Sequence, residues 1–308
     1  MIEIKGLTRF YGALAALVDL DLSIQAGEIF GFIGPNGAGK TTTMRILATL
    51  LEPSRGTASI DGLDVLRYGK RVRRLVGYMP DFMGVYDDLK VFEYLEFFAA
   101  AFGIERSRRK SVVEGVLELT DLGGKRAATV DSLSRGMQQR LGLARVLIHD
   151  PKVLILDEPA SGLDPRARIE MRLLLRELKK MGKTIMISSH ILSELEEICD
   201  HIGIIERGRL VFSGTLEDIR KKMGASNRVS VKVAGDLAAA AQLLSALPQV
   251  QQAAPAGDQI QVILQDGQAG DGLIARTLVQ GGFDVLALVP EQVKLDDAFL
   301  ELTKGLVH

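Results

Sequence analysis

The sequence predicts an α/β fold over about its first two-thirds, a parallel sheet flanked by helices, followed by a small α+β domain. Three observations carry this. Over the first 215 or so residues, short apolar runs alternate with longer amphipathic ones, as strands alternate with crossover helices. The short runs are apolar almost throughout, which suits strands covered on both faces. Beyond that point the pattern changes, and alternating apolar and polar residues replace the continuous runs.

Taken in order, Ile29–Ile33 (IFGFI), Val153–Leu156 (VLIL) and Thr184–Ser188 (TIMIS) are the continuous runs and read as central strands. The short run at Arg74–Tyr78 leaves a strand and enters a loop at Pro80-Asp81. Val91–Gly103 and Lys110–Leu122 read as helices bounded by turn residues. A short charged helix at Leu216–Met223 leads into Gly224–Asn227, a linker by composition. Arg228–Val233 then alternates like a half-buried strand, Asp236–Leu247 reads as a helix, and Asp258–Leu264 alternates again. Gly272–Gln280 is helical in pattern, Phe283–Val289 is apolar, and Leu295–Leu302 reads as a final helix. That strand-helix order suggests a ferredoxin-like arrangement.

The chain has 308 residues, enough for two domains, with 47% apolar and 25% charged residues, as in an ordinary soluble protein. A net charge of −1 gives no global electrostatic case for a nucleic-acid partner. The single cysteine, Cys199, excludes an internal disulfide and suits a reducing cytosol. The start, MIEIKGLTRFYG, lacks the basic and apolar segments of a signal peptide. The longest uncharged stretch, Leu237–Gly257, carries four glutamines and two prolines and does not read as a membrane span.

Gly34-Pro-Asn-Gly-Ala-Gly39-Lys40-Thr41 fits G-x4-G-K-[ST], directly after a strand and opening a helix. Its glycines let backbone N–H groups turn onto phosphate oxygens, Lys40 reaches the β- and γ-phosphates, and the Thr41 hydroxyl ligates Mg²⁺. Asp157 and Glu158 end an apolar strand. Alone, two such acids are often solvated strand-end residues. Beside a phosphate loop they become a metal-holding acid, Asp157, and a base for the attacking water, Glu158.

Leu133-Ser134-Arg135-Gly136-Met137-Gln138-Gln139-Arg140 follows, with Ser161-Gly162-Leu163-Asp164 and Ser188-Ser189-His190 in suitable order. With these motifs, residues 1–217 resemble the nucleotide-binding subunit of ABC transporters. The resemblance implies an ABC-type P-loop NTPase fold with a helical subdomain at about residues 82–150; beyond it, the shift in pattern gives a linker over 218–227 and an accessory α+β domain over 228–308. It implies a Mg-dependent ATPase in which two nucleotide-binding domains sandwich ATP head to tail, as a homodimer or with a homologous partner. A separate transmembrane permease subunit completes the system, and the chain sits peripherally on the cytoplasmic face of the membrane. Gly34, Asn36, Gly37, Ala38, Gly39, Lys40, Thr41 and Thr42 would bind ATP in cis, and Ser134, Gly136 and Asp164 from across the dimer. The resemblance also makes His190 the switch that contacts the γ-phosphate, and Tyr11 the aromatic that stacks on adenine, although Phe10 and packing on its own sheet compete for that reading. The signature departs from LSGGQ at Arg135 and Met137.

Asp81 stands where most members carry a glutamine. An acid there repels the nucleotide's phosphates unless a cation lies between them, which makes Asp81 a candidate Mg²⁺ ligand beside Thr41 and Asp157; a solvated loop acid is the competing reading. Two basic runs, Arg67–Arg74 and Arg106–Lys110, are solvated faces by default or contacts to lipid headgroups or the membrane partner. In the intervening helix, Phe92, Tyr94, Phe97, Phe98 and Phe102 are expected to be mostly core, with one or two lining the groove where the family docks its membrane subunit. His149, His201 and His308 read as surface or packing residues. The tail Val289–Thr303, with Thr49–Pro53 and Leu163–Pro165, resembles ABC-2-type export subunits, including drug exporters. The alternatives are a soluble ABC ATPase acting on ribosomes or DNA and a non-catalytic nucleotide-binding regulator.

Overall fold

A computed structural model describes residues 1–82, 84, 88–190, 195–222, 228–265 and 271–290. The chain divides into two compact units, Met1–Thr215 and Leu216–His308.

In the first unit, β1 (Ile2–Tyr11), β2 (Leu14–Ile24), β4 (Arg55–Ile60) and β5 (Leu63–Asp64) form an antiparallel sheet in the order β2-β1-β4-β5. A second sheet holds β3 (Ile29–Ile33), β6 (Val76–Met79), β7 (Val153–Asp157), β8 (Thr184–Ser189), β9 (His201–Glu206) and β10 (Arg209–Gly214), in the order β10-β9-β3-β8-β7-β6. All its neighbours pair in parallel except β10 with β9. Every residue of β3, β7 and β8 is buried, as their continuous apolar runs require. Helix α1 (Lys40–Leu47) touches strands of both sheets, and Leu7, Leu17, Phe30, Phe32, Met44 and Met186 close one core around it. Each such side chain contributes ~1.5–3 kcal/mol on burial.

Further α-helices of this unit are α2 (Gly69–Leu75), α3 (Val91–Ala101), α4 (Arg106–Leu119), α5 (Arg135–Leu147) and α6 (Pro165–Lys180). Helix α4 begins and ends earlier than the expected Lys110–Leu122. Its end is set where Thr120 Oγ1 bonds back to Val116 O (2.7 Å) and Asp121 turns to φ 54°. By sequence Ile191–Asp200 reads as a helix carrying Cys199; its first four residues lie outside the described residues, and within them only Leu195 and Glu196 are helical, with a turn at Glu197 and Ile198 that leaves Cys199 beyond it. Cys199 is packed beneath β3, and burial pushes its thiol far up, so it acts as a small apolar side chain.

The second unit contains α7 (Leu216–Lys222), β11 (Arg228–Ala234), α8 (Leu237–Ser245), β12 (Val250–Ala256), β13 (Gln259–Leu264), α9 (Asp271–Gln280) and β14 (Asp284–Pro290). Its sheet is antiparallel, ordered β12-β13-β11-β14, which is the ferredoxin-like split βαβ arrangement. Val229, Val231 and Val233 alternate inward from β11 onto Leu244, Ile260 and Ile274. Asp236 caps α8 by accepting from the N–H groups of Ala238 and Ala239. Strand β12 was not expected: its segment, VQQAAPA, does not alternate, and it survives as an edge strand, where Pro255 leaves no ladder bond unmade inside the sheet. Gly224–Asn227 and Leu295–Leu302 lie outside the described residues.

Candidate active site

The parallel strands end on one edge of their sheet, and the phosphate loop leaves β3 at that edge. Gly34 is required there, because a Cβ would collide with the carbonyl oxygen of Ile205. Gly37 and Gly39 take φ of 81° and 111°, and a Cβ on Gly39 would stand 2.7 Å from Ala16 O. These positive φ values turn the loop inward and open α1 without a side-chain cap or an acid in its first turn. Its N-terminal N–H groups therefore point toward a ligand, with the helix dipole behind them.

Lys40, only 6% exposed, donates from Nζ to Gly34 O at 2.6 Å and lies 3.7 Å from Glu158 Oε1. Thr41 donates from Oγ1 to Asp157 Oδ2 at 2.7 Å. Asp157 is buried at the end of β7, and Glu158 follows in a left-handed backbone conformation, φ 51°. His190 Nδ1 lies 2.8 Å from Glu158 Oε2. The acid thus stands between the loop ammonium and the imidazole, placed to take a proton from water and be held in position by the histidine.

One residue that the sequence reading named in a motif but gave no role of its own completes this arrangement. Ser188, fully buried on β8, donates to Asp157 Oδ1 at 2.5 Å and accepts from the Glu158 N–H at 2.9 Å. The parallel register pairs Asp157 with Ser188 directly. The signal was present: a serine ending the apolar strand before His190, whose partner the pairing alone reveals.

A cavity of about 170 Å³ is lined by Ala16, the loop from Pro35 through Thr42, Asp81, Asp157 and Glu158. Asn36, Gly37, Ala38, Gly39, Lys40, Thr41 and Thr42 therefore face one space with all three acids. Three carboxylates and one ammonium line it, so a polyphosphate entering alone meets net negative charge. A divalent cation removes that repulsion, and the hard oxygens of Thr41 and Asp157 suit Mg²⁺, which keeps few protein ligands and takes the rest from phosphate and water. Among the described residues no group of three or more His, Cys, Asp or Glu forms a metal site by itself.

Ser134, Gly136 and Asp164 do not line this cavity in their own chain. Ser134 caps α5, accepting from the Met137 N–H, and Asp164 caps α6, accepting from the Ala167 N–H at 2.9 Å. The two helix starts pack closely: a Cβ on Gly136 would be 2.9 Å from Ala167 Cβ, and one on Gly162, at φ 67°, would collide with the Arg135 guanidinium. Tyr11 also stands apart from the phosphate cavity, half exposed at the end of β1 with the Arg9 guanidinium 4.9 Å from its ring centre.

A second, apolar cavity of about 240 Å³ lies among Leu50, Tyr78, Phe98, Phe102, Arg145 and His149. The expectation that the α3 rings are mostly core needs correction. Tyr94 is fully buried, Phe92 and Phe98 are half-buried, and Phe97 and Phe102 are exposed. His149 stacks on Phe102 at 4.1 Å and its Nε2 lies 3.0 Å from Val76 O; burial lowers its pKa. Among the described residues no helix is long and apolar enough to cross a membrane.

The family model for the ABC transporter matches residues 17–161. The bacitracin transport ATP-binding protein BcrA of Bacillus licheniformis is 36% identical over 308 residues, covering 99% of this chain and 98% of that protein. The Nod factor export ATP-binding protein I of Ralstonia nicotianae is 34% identical over 304 residues, covering 98% and 94%. Among solved structures, an ATP-binding subunit of an ABC transporter aligns with a TM-score of 0.66 and 33% identity over 73% of this chain and 93% of that one. The dimeric structure of a bacterial ABC transporter cassette aligns with a TM-score of 0.64 and 25% identity, covering 70% and 99%.

Proposed function

This chain belongs to the ABC transporter family, and we propose that it is the ATPase subunit of an export system, dimerising on ATP and driving a separate membrane-spanning subunit. The observation that carries the reading is the convergence of Lys40, Thr41, Asp157, Glu158 and His190 within bonding reach at one edge of the sheet. The loop N–H groups and Lys40 bind the phosphates. Thr41 and Asp157, with Asp81 on the same cavity, would hold Mg²⁺, which would supply the positive charge that lets a triphosphate share the cavity with three acids. Glu158 accepts the proton of the attacking water, and His190 orients Glu158 through its 2.8 Å contact. Ser134 and Gly136, at a capped helix start, meet the γ-phosphate held by a second nucleotide-binding domain, and Asp164 faces the same junction. The relatives named for bacitracin transport and Nod factor export support the export direction. The apolar cavity at Leu50, Phe98 and Phe102 is assigned to the membrane subunit, and the second unit serves as an accessory domain. Peripheral placement at the cytoplasmic membrane face follows from this assignment.

The test is Glu158→Gln. The variant keeps ATP binding, loses nearly all turnover, and elutes as an ATP-stabilised dimer in size-exclusion chromatography. Full ATPase activity in this variant would falsify the reading.

A further inference from the structure

The two basic runs, unused by the catalytic site, come together at Arg74 and Arg108 in the first unit, and we infer that the surface around these two residues binds the headgroups of anionic phospholipids. The first run places Arg67, Lys70, Arg71 and Arg74 on and before α2; the second places Arg106, Arg108 and Lys110 at the start of α4. Although far apart in sequence, Arg74 and Arg108 line one open cavity of about 780 Å³ beside Phe102 and Ile104. Phe102 also lines the apolar cavity next to it, so the surfaces are continuous.

The structure gives some of the basic residues internal partners, Arg71 among them, but among the described residues pairs none of these seven with a carboxylate. Arg73 donates to Thr49 Oγ1 at 2.9 Å and Arg109 to Ile104 O at 2.8 Å. Arg71 lies over the Tyr68 ring. Among the described residues, none of the seven forms an ion pair with a carboxylate. Asp150, on the same cavity, is already paired with Lys183, leaving Glu105 as the exposed acid there. Helix α4 carries its arginines in its first turn, at the end where the helix dipole disfavours cations, with Glu105 at the N-cap beside them. An external layer of negative charge favours that placement.

Apolar side chains are interleaved with these cations: Leu66 (54% exposed) and Tyr68 flank Arg67, and Phe97 (51%) and Phe102 (46%) precede the second run. Unpaired cations with exposed aliphatic and aromatic groups between them match the boundary of headgroup and acyl chain, where basic residues near an anionic leaflet each add to binding. A purely protein partner would be expected to present acids to these positions, but the cations spread over two helices rather than converging on one point. This inference rests on the reading that the chain works beside a membrane subunit, but its test needs no such subunit.

The purified full chain is sedimented with vesicles of phosphatidylcholine alone or with about 30 mol% phosphatidylglycerol. Binding is expected only to the anionic vesicles, falling steeply as salt rises from about 50 mM to about 500 mM. The Arg74→Glu/Arg108→Glu pair lowers it about tenfold or more, whereas Lys5→Glu, an exposed lysine outside both runs, changes it less than about twofold. ATP binding, measured on the same samples, reports folding and the ATPase reading separately; should the glutamates impair it, Arg74→Gln/Arg108→Gln replaces them. No vesicle binding, equal binding to both vesicles, or equal loss in the Lys5 control overturns the inference and leaves the face to a protein partner.

Discussion

Ser188→Ala removes one hydroxyl and two hydrogen bonds that hold Asp157 and Glu158. In the wild type Ser188 Oγ donates to the buried Asp157 carboxylate at 2.5 Å and accepts from the Glu158 N–H at 2.9 Å. A hydrogen bond to a charged group contributes ~1.5–3 kcal/mol, and an N–H left without a partner costs ~1–3 kcal/mol. The expected loss of stability is therefore about 3 kcal/mol. Asp157 keeps its Thr41 bond, so nucleotide and Mg²⁺ still bind. Glu158 is more sensitive, because its φ of 51° is a left-handed conformation that costs ~1–2 kcal/mol and depends on its surroundings to persist. Freed from Ser188, the Glu158 peptide relaxes and moves its carboxylate off the attacking water. Steady-state ATPase kinetics should show kcat down by about tenfold or more, equivalent to ~1.4 kcal/mol, with KM for ATP nearly unchanged. Thermal melting follows the stability loss independently. A kcat within about twofold of wild type would refute the view that Ser188 positions the base.

Three further outcomes are expected. Asp81→Asn should raise the Mg²⁺ concentration giving half-maximal ATPase by about threefold or more, since it removes a charge from the phosphate cavity; an unchanged Mg²⁺ titration returns Asp81 to solvent. Gly162→Ala should cost ~1–2 kcal/mol from its positive φ alone and more from collision with Arg135. In an Arg135→Gly background the second part disappears, so a double-mutant cycle should give a coupling of at least about 0.5 kcal/mol; strict additivity would show that the guanidinium does not rest there. Finally, burial lowers the pKa of His149, so the unfolded chain binds its proton more readily than the folded one. Its contribution is fully present above the unfolded pKa of about 6.5 and is lost as pH falls below that toward the lower folded value. Melting temperature should drop between about pH 7 and pH 5, and His149→Phe should flatten that part of the profile; an identical slope in the variant excludes His149 as its source.

What the sequence determined by itself was local. The glycine pattern of Gly34 to Gly39 and the apolar run ending in Asp157 and Glu158 each act within one turn or strand end, so residue spacing alone makes them readable. The alternation of Val229, Val231 and Val233 likewise declared a half-buried strand. The tertiary structure decided what depends on pairing distant segments. Strand β12 has no pattern of its own and exists because β13 offers it an edge. Ser188 was one serine among several until parallel register set it opposite Asp157. The rings of α3 looked like core because periodicity reports which face is apolar and not how fully it is covered; Phe97 and Phe102 remain about half exposed. Arg74 and Arg108, one from each basic run, came to share a surface only when α2 and α4 folded onto the same cavity. Spacing along a chain encodes hydrogen bonds and burial within an element, whereas the charge and contacts of a site come from elements that meet only in three dimensions.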